Sequence, residues 1–520
     1  VPPEIAIPVE SILRADRAPP AVLLNVNDDV LIATRKLAPG TVLLDGRLVT
    51  VESIPAGHKV ALRAIAAGAA ARRYDQIIGF ATRPIEAGQH VHLHNLAMGE
   101  FERDLAFCSA TRATPCAPAP RTFAGIVRAD GRVATRNYIG VVSSVNCSAT
   151  VCRQIVENFR GEALAAYPHV DGVVAITHKS GCGMASSGEP IEVLRRVLAG
   201  YLRHANFAAV VFIGLGCESN QVSALLGEQS LVESERLRTL TIQETGGTRA
   251  TIARGVEIVR ELLPVANAVA RQPVSLQHLT VGLQCGGSDG YSGISANPAL
   301  GRAMDLLVAH GGTAILSETP EIYGAEHLLT RRAVNPEVAE KLMARIRWWE
   351  EYTARLGGEM NNNPSPGNKA GGLTTILEKS LGAVAKGGTT NLVDVVAYAA
   401  PVRAHGLVFM DTPGYDPVSA TGQVAGGANM ICFTTGRGSV YGCKPAPSLK
   451  LATNTAMYQH MSEDMDINCG AILDGVADID SLGHTIFESL LATASGAPSK
   501  SELLGFGEDE FAPWILGPTM

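Results

Sequence analysis

The rhythm of hydrophobic and polar positions changes twice along the chain. From Ala21 to about Met98, short apolar runs are broken by turn residues. "VLIATRKLAPGTVLL", "HKVALRAIAAG" and "GFATRPIEAGQHVHLHN" repeat one phrase: a hydrophobic stretch, then Ala-Pro-Gly, Ala-Ala-Gly or Glu-Ala-Gly, then another strand. That pattern predicts a small β-rich domain over residues 21–98. Residues 1–20 read as a loose tail. Residues 99–122 read as a linker, because "SATRATPCAPAPRTF" (109–123) is rich in Ala and Pro and carries neither a helical nor a strand period.

Beyond Phe123, strands alternate with helices. "YIGVVSSV" leads into "SATVCRQIVENFR", "GVVAITH" into "PIEVLRRVLAGYLRH", "AAVVFIGLG" into the next helix, and "LTIQETGG" into "TRATIARGVEIVRELL". "LTVGLQCGGSDG" restarts the rhythm: a helix over 297–310, a strand at "GGTAILSE", a long helix around Trp348 and Trp349, then "GLVFMD" and "NMICFTTG". The fold class is therefore α/β. The expectation is one α/β domain over 123–270 and a second over 275–520, with largely parallel sheets, behind the small β-rich module.

Composition narrows the function. The chain has 520 residues, enough for two to four domains, with 46% hydrophobic and 18% charged residues. A net charge of −7 without a basic run argues against a nucleic-acid partner. No apolar run reaches 18 residues and no basic, apolar start is present, so neither a membrane span nor a signal peptide is expected. Ten cysteines without a C-x-x-C pair suit a reduced, cytoplasmic protein better than a disulfide scaffold.

Open α/β sheets bind ligands beyond the carboxyl ends of their strands. Those ends carry Cys147, Cys182, Cys217 and Cys285, each after a β-rich run. Thiolates there suit iron or an iron–sulfur cluster. A nucleophilic cysteine is the alternative, with His178 near Cys182 as the local base. His90, His92 and His94 fall at alternate positions, so an extended segment would line one face with three imidazoles. They are either metal ligands or a polar strand face. Asn368, Lys369, Asp411, Thr412, Asp416, Gln423 and Arg437 sit in stretches bearing Gly or Pro, and Lys450 and Asn454 in "SLKLATNT" (448–455). Cations bind carboxylates and amides bind hydroxyls, so a polyhydroxylated acid would use them all.

Five long phrases carry a family likeness: "DGRVATRNYIGVVSSVNCSATV", "GLQCGGSDGYSGISANPALG", "NNNPSPGNKAGGLTTILEKSLGAVAKGGTT", "MDTPGYDPVSATGQVAGGANMICFTTGRGS" and "DMDINCGAILDG". With them the chain resembles the altronate/galactarate dehydratase family from about residue 21 onward. "GHKVAL" (57–62) and "HVHLHN" (90–95) resemble the SAF module of that family. The resemblance implies dehydration of a sugar acid to a 2-keto-3-deoxy acid with a divalent metal, usually iron, Mn2+ being the alternative ion.

Such a reaction needs a base beside C2, charge stabilisation for the enediolate and help for the departing C3 hydroxyl. On that implication, His58, Lys59, His178 and Lys179 are the candidate bases. His92 and His94 are the leading metal ligands, ahead of His90. In the cluster alternative, Cys147, Cys182 and Cys285 hold the iron. D-altronate is the expected substrate, galactarate or a sulfo-hydroxyacid the alternatives, and a homodimer the expected assembly. A non-catalytic sugar-acid-binding protein is the reading of another class. Two positions depart from the family phrase: Asp75, where glycine is expected after the tyrosine, and Cys443.

Overall fold

The computed structural model describes residues 19–516, so most of the tail expected over residues 1–20 lies outside the described residues. The first domain is built from short antiparallel strands. Ala21–Val22, Val30–Ala33, Lys59–Ala61 and His90–Val91 form one sheet in that order. Ala70–Arg73, Gln76–Ala81 and Leu96–Ala97 form another. The repeated phrase has a backbone cause: Gly40, Gly57, Gly68 and Gly88 close its turns at φ between 79° and 84°, where a side chain is strained. Asp75 is in a comparable position. With Tyr74 (φ 60°) it forms a two-residue hairpin turn at φ 59°, and Asp28 Oδ1 accepts its backbone N–H at 2.8 Å. Asp is among the residues that tolerate this conformation.

Residues 98–121 have no regular structure, yet they are not a free tether. Cys108 N donates to Thr330 O, Ala110 N to Arg331 O and Ala117 N to Ala309 O. Asn391 brackets Arg112, accepting its N–H and donating to its carbonyl. The segment is a strap laid along the third domain.

The second domain begins and ends on paired strands, Thr122–Val127 against Gln272–Ser275. Between them lie β1 (Tyr138–Ser143), β2 (Gly172–Ile176), β3 (Phe207–Gly214) and β4 (Leu237–Thr241), all parallel, in the order β2-β1-β3-β4. Alternation decides the two faces. Ile139 and Val141 pack under α1 (Ala149–Val156) and α3 (Thr248–Asn267). Tyr138 and Val142 pack under α2 (Glu189–Arg203).

The third domain holds a seven-stranded parallel sheet: β5 (Thr280–Cys285), β6 (Thr313–Leu316), β7 (Leu392–Val396), β8 (Gly406–Met410), β9 (Met430–Thr435), β10 (Ser448–Ala452) and β11 (Ile467–Asn468), in the order β7-β8-β6-β5-β9-β10-β11. The helix expected at 297–310 is α4 (Ala296–Ala309), and that around the tryptophans is α5 (Pro336–Arg355). From β5 the chain builds outward on one side through β6 and later on the other through β9. The crevice beyond β5 is thus a topological switch point.

The two parallel sheets share a core. α2 lies on α8 (Asp416–Ala425), where Gly200 abuts Ala425 O. Arg196 donates to Tyr398 O, and Tyr398 donates to Val418 O and lies against Gly422. The two helices therefore run the same way. Each follows a parallel strand and runs back from its carboxyl end, so both sheets present their carboxyl edges on one side of the molecule. Cys443 is buried in that shared core with Tyr201 and Tyr441. No helix of the described residues is long and apolar enough to cross a membrane.

Candidate active site

After β6 the backbone turns sharply. Glu318 sits at φ 70°, ψ 66°, a conformation that costs a non-glycine residue about 1–3 kcal/mol. Thr412 Oγ1 accepts Glu318 N–H at 2.9 Å, and Thr319 donates to Asp411 Oδ1 at 2.6 Å. Trp349 Nε1 donates to that same carboxylate oxygen at 2.8 Å. The pinned turn aims Glu318 and Glu321 at Cys285. Ligand atoms of these three residues lie within 4.8 Å of one another, the one such His/Cys/Asp/Glu group among the described residues.

Two lysines close this centre. Lys386 Nζ lies 2.9 Å from both Cys285 Sγ and Glu318 Oε2. Lys379, on α7 (Ile376–Val384), donates to Glu321 Oε1 at 2.7 Å and to Asn363 Oδ1 at 2.6 Å. All five side chains are buried. Two ammonium groups already occupy the acidic side chains here, so the donor set fits a lysine–carboxyl network better than a metal ion. Burial pushes Glu318 up to about 8 against the pull of Lys386, and its Oε1 has no hydrogen-bond partner among the described residues. Asp416, half-buried at the start of α8, is pushed up to about 7 by burial and by Glu321. Gly286 makes room for it: a Cβ there would lie 2.2 Å from Asp416 Oδ2. Burial would raise Glu321, but Lys379 and Lys386 hold it below the usual carboxylate range. Burial pushes the Cys285 thiol up to about 12.

The first domain brings four imidazoles to the same edge. Only His90–Val91 is extended, and the chain turns at His92 to Asn95, so the three histidines do not share one strand face as alternation predicts. They gather nonetheless. His58, His90 and His92 have ring centroids 4.8–5.3 Å apart, with His94 5.3 Å from His90. Carbonyl oxygens fix the tautomers. His58 Nε2 donates to Ala370 O at 3.2 Å, so its Nδ1 accepts from His90 Nε2 at 3.0 Å. His92 Nε2 donates to Lys369 O at 2.9 Å. The lone pairs left on Nδ1 of His90 and His92, with exposed His94 alongside, could ligate a divalent ion, although these imidazoles are less tightly gathered than Cys285, Glu318 and Glu321; the carbonyl behind His92 is the usual support of a ligand imidazole. Burial and neighbouring cationic groups push His90 down to about 3 and His92 to about 4, so both are neutral and ready to ligate.

Lys59 is used differently. Its Nζ donates to both Glu378 oxygens, at 3.0 and 2.8 Å, and to Gly372 O at 2.6 Å. Arg73 donates to Glu378 Oε1 at 2.7 Å and to Gly290 O at 2.6 Å. This fully buried triad fastens the first domain to the third, and it leaves the Lys59 ammonium no free position for base chemistry.

His178 and Lys179 belong to the carboxyl edge of the second domain. His178 is buried, donating from Nε2 to Ser143 O and accepting Ser180 N–H at Nδ1. Both ring nitrogens thus hold loops together. Lys179, Cys147, Cys182 and Cys217 are exposed on this edge, whereas Cys285 lies in the other sheet. The structure therefore does not group Cys285 with Cys147 and Cys182.

The residues expected to bind substrate divide in two. Asn368, Lys369, Arg437 and Asn454 lie around the seven-stranded edge. Asn368 completes the capping box of Ser365 at the start of α6 (Pro366–Ala370) and donates to Ser288 O at 2.8 Å, Arg437 is exposed beyond β9, and Asn454 donates to Asp289 Oδ2 at 3.2 Å. Asp411, Thr412, Gln423 and Lys450 are buried supports. Gln423 Nε2 donates to Ile315 O and Ser317 Oγ, and its amide fills the space that Gly282 leaves. Lys450 is buried on β10, its Nζ without a hydrogen-bond partner among the described residues.

Sequence reading passed over Glu318, Glu321, Lys379 and Lys386. One signal was there: two lysines seven apart in the apolar run "ILEKSLGAVAKGG", which buries them both.

Comparison with known proteins matches three family descriptions: "Altronate/galactarate dehydratase SAF domain" over residues 19–99, "D-galactarate dehydratase/Altronate hydrolase, second domain" over 125–267, and "D-galactarate/Altronate dehydratase, C-terminal" over 276–519. The altronate dehydratase of Escherichia coli (strain K12) is 35% identical over 490 residues, 94% of this chain and 97% of that protein. That of Bacillus subtilis (strain 168) is 32% identical over 491 residues, with the same coverage. The galactarate dehydratase (L-threo-forming) of Escherichia coli (strain K12) is 37% identical over 490 residues, 92% of this chain and 94% of that protein.

Proposed function

The chain belongs to the altronate/galactarate dehydratase family and is a sugar-acid hydro-lyase, and from that premise we propose that it converts D-altronate to a 2-keto-3-deoxy acid at the carboxyl edge of the seven-stranded sheet. One observation carries the siting: Asp416, a carboxyl poised near neutrality, shares that edge with two ammonium groups, Lys379 and Lys386. A base works best when its pKa lies near the working pH. Asp416 takes the C2 proton. Lys379 faces the negative charge that grows on the substrate carboxylate as the proton leaves. Glu318, protonated up to about pH 8 and with one oxygen unpartnered, returns a proton to the departing C3 hydroxyl. His90, His92 and His94 would hold the divalent ion, iron or Mn2+. Bound there, it would supply Lewis acidity toward the substrate oxygens. The phrases "SLGAVAKGGTTNLVDVVAYA" and "MDTPGYDPVSATGQ" support altronate over galactarate.

The test is a 2-keto-3-deoxy acid assay on D-altronate and galactarate side by side, with Asp416→Asn. Wild type turns over altronate, and the variant loses about 10²–10⁴-fold in kcat with its unfolding midpoint unchanged. Turnover of galactarate alone overturns the substrate, and a fully active variant overturns the base.

A further inference from the structure

The second domain carries a feature that the proposed chemistry does not use. Three of its cysteines are exposed, Cys147, Cys182 and Cys217, and each lies in the loop after one of three adjacent parallel strands, β1, β2 and β3. Cys285, Cys432, Cys443, Cys469 and Cys152 are buried, the usual fate of a free cysteine. We propose that Cys147, Cys182 and Cys217 form the protein half of an iron–sulfur cluster site, a centre separate from the imidazole group of the first domain.

The three loops are built as one rigid platform. Asn146 N donates to Ser180 O at 2.9 Å, and Asn220 N to Gly181 O at 3.0 Å, which ties all three together. Buried polar side chains lock the joints. Glu218 accepts from Ser144 Oγ at 2.7 Å and from the N–H groups of Leu215 and Gly216. Asn220 Nδ2 donates to Ser144 O at 2.9 Å, and His178 bridges Ser143 O and Ser180 N. Gly181, at φ 98°, permits the closest approach: a Cβ there would lie 2.6 Å from Ser144 O. Burying Glu218, Asn220 and His178 costs desolvation, a cost that loose surface turns never meet. The platform holds three thiols in fixed relation.

Their number and chemistry point to the ligand. These thiols are not among the groups whose donor atoms lie within 4.8 Å of one another. A single tetrahedral ion bonded to sulfur at about 2.3 Å needs them closer, about 4 Å apart. A cubane binds one thiolate at each corner, so three thiolates on adjoining loops that do not converge on one ion are a donor set for a cluster. Three strand ends give three thiolates. Just beyond the fourth strand, β4, stands Gln243 instead of a cysteine, and its Nε2 donates to Cys217 Sγ at 3.3 Å. One corner therefore lacks a protein thiolate. Lys179 and Arg153, whose guanidinium donates to Thr177 Oγ1, lie on this edge and favour an anionic oxygen ligand at that corner.

The full chain, purified anaerobically, is reconstituted with ferric iron, sulfide and an excess of a dithiol. The dithiol reduces half of the iron, and each cysteine releases its proton on binding. The expected product holds about four irons and four acid-labile sulfides per chain, with broad absorbance near roughly 400 nm. Cys147→Ser, Cys182→Ser and Cys217→Ser each lose most of the sulfide, whereas Cys116→Ser, in the exposed strap, keeps it. Alkylation of wild type gives an independent readout that needs no variant to fold: the three thiols react in the metal-free chain and are protected after reconstitution. Iron without labile sulfide, three thiols still reactive after reconstitution, or full sulfide in folded Cys217→Ser overturns the proposal. The imidazole site is untouched by that result, because it binds iron without sulfide.

Discussion

Replacing Glu378 by Gln removes the charge that joins the first domain to the third while keeping the side chain's size. In the folded protein, burial alone would raise this carboxyl, but Lys59 and Arg73 outweigh burial and hold it down at about 2, against an ordinary 4.5. At 1.36 kcal/mol per pH unit, that drop corresponds to about 3 kcal/mol. Breaking a buried ion pair from one side costs about 3–5 kcal/mol, because the partner charges stay buried. Burial already pulls Lys59 down against the hold of Glu378, which eases the loss on that side, so the lower figure is expected. The assay combines denaturant unfolding with gel filtration of chain nicked by a glutamyl endopeptidase at Glu100 or Glu102, both exposed ahead of the hydrogen bonds that hold the strap to the third domain. Nicked wild type elutes as one species, and nicked Glu378→Gln releases the first domain. The pH dependence has a definite direction. A carboxyl whose pKa is depressed on folding stabilises the fold above 4.5, and that stability is lost as pH falls toward 2. Wild type shows this acid loss and the variant lacks it. The triple replacement Lys59→Met, Arg73→Met, Glu378→Leu restores most of the stability, since an apolar set also fills the space. A Glu378→Gln protein within about 0.5 kcal/mol of wild type, with co-eluting fragments, would refute the docking role.

Three further outcomes follow from the geometry. The rate with saturating altronate should rise with pH through about 7 as Asp416 loses its proton, and fall through about 8 as Glu318 does; a flat profile between pH 6 and 9 in a pH-jump or buffer series contradicts both roles. Gln423→Ala should lower stability by about 1–3 kcal/mol by orphaning buried partners and leave KM unchanged, which steady-state kinetics separates from a substrate contact. His92→Ala should weaken binding of the divalent ion by about 10–100-fold with little change in melting temperature, read by metal titration of the chelated protein; loss of folding with ion binding intact marks a structural histidine instead.

Much of the fold is visible in local pattern, because a buried parallel strand is a short apolar run and a helix shows its own period. Cys147, Cys182, Cys217 and Cys285 could all be placed after strands for that reason. What the pattern lacks is the identity of each strand's neighbours. Cys285 follows a strand just as Cys147 does, yet β5 pairs with β6 and β9, so tertiary pairing puts the two thiols in different sheets. Lys59 shows the same limit in charge. Beside His58 it reads as a candidate base, and its partner Glu378 stands 319 positions further on, where no spacing rule connects them.

The chemistry-bearing lysines were hidden for a different reason. Helix reading takes a charged residue in an apolar run for the solvent face, since burying an ammonium is costly. Lys379 and Lys386 reverse that inference because Glu321 and Glu318 meet them, and those acids come from a loop that reads as a surface turn. Each half looks like an ordinary feature until β6 and α7 are brought together. The cost of burying Lys379, Lys386 and their acidic partners and of bending Glu318 into a left-handed turn is borne at the switch point of the sheet, the place where an α/β fold binds its ligand. Local rules fail at this edge for the same physical reason that makes it fit for proton transfer: strained backbone and desolvated charge are tolerated where the surrounding structure over-determines them.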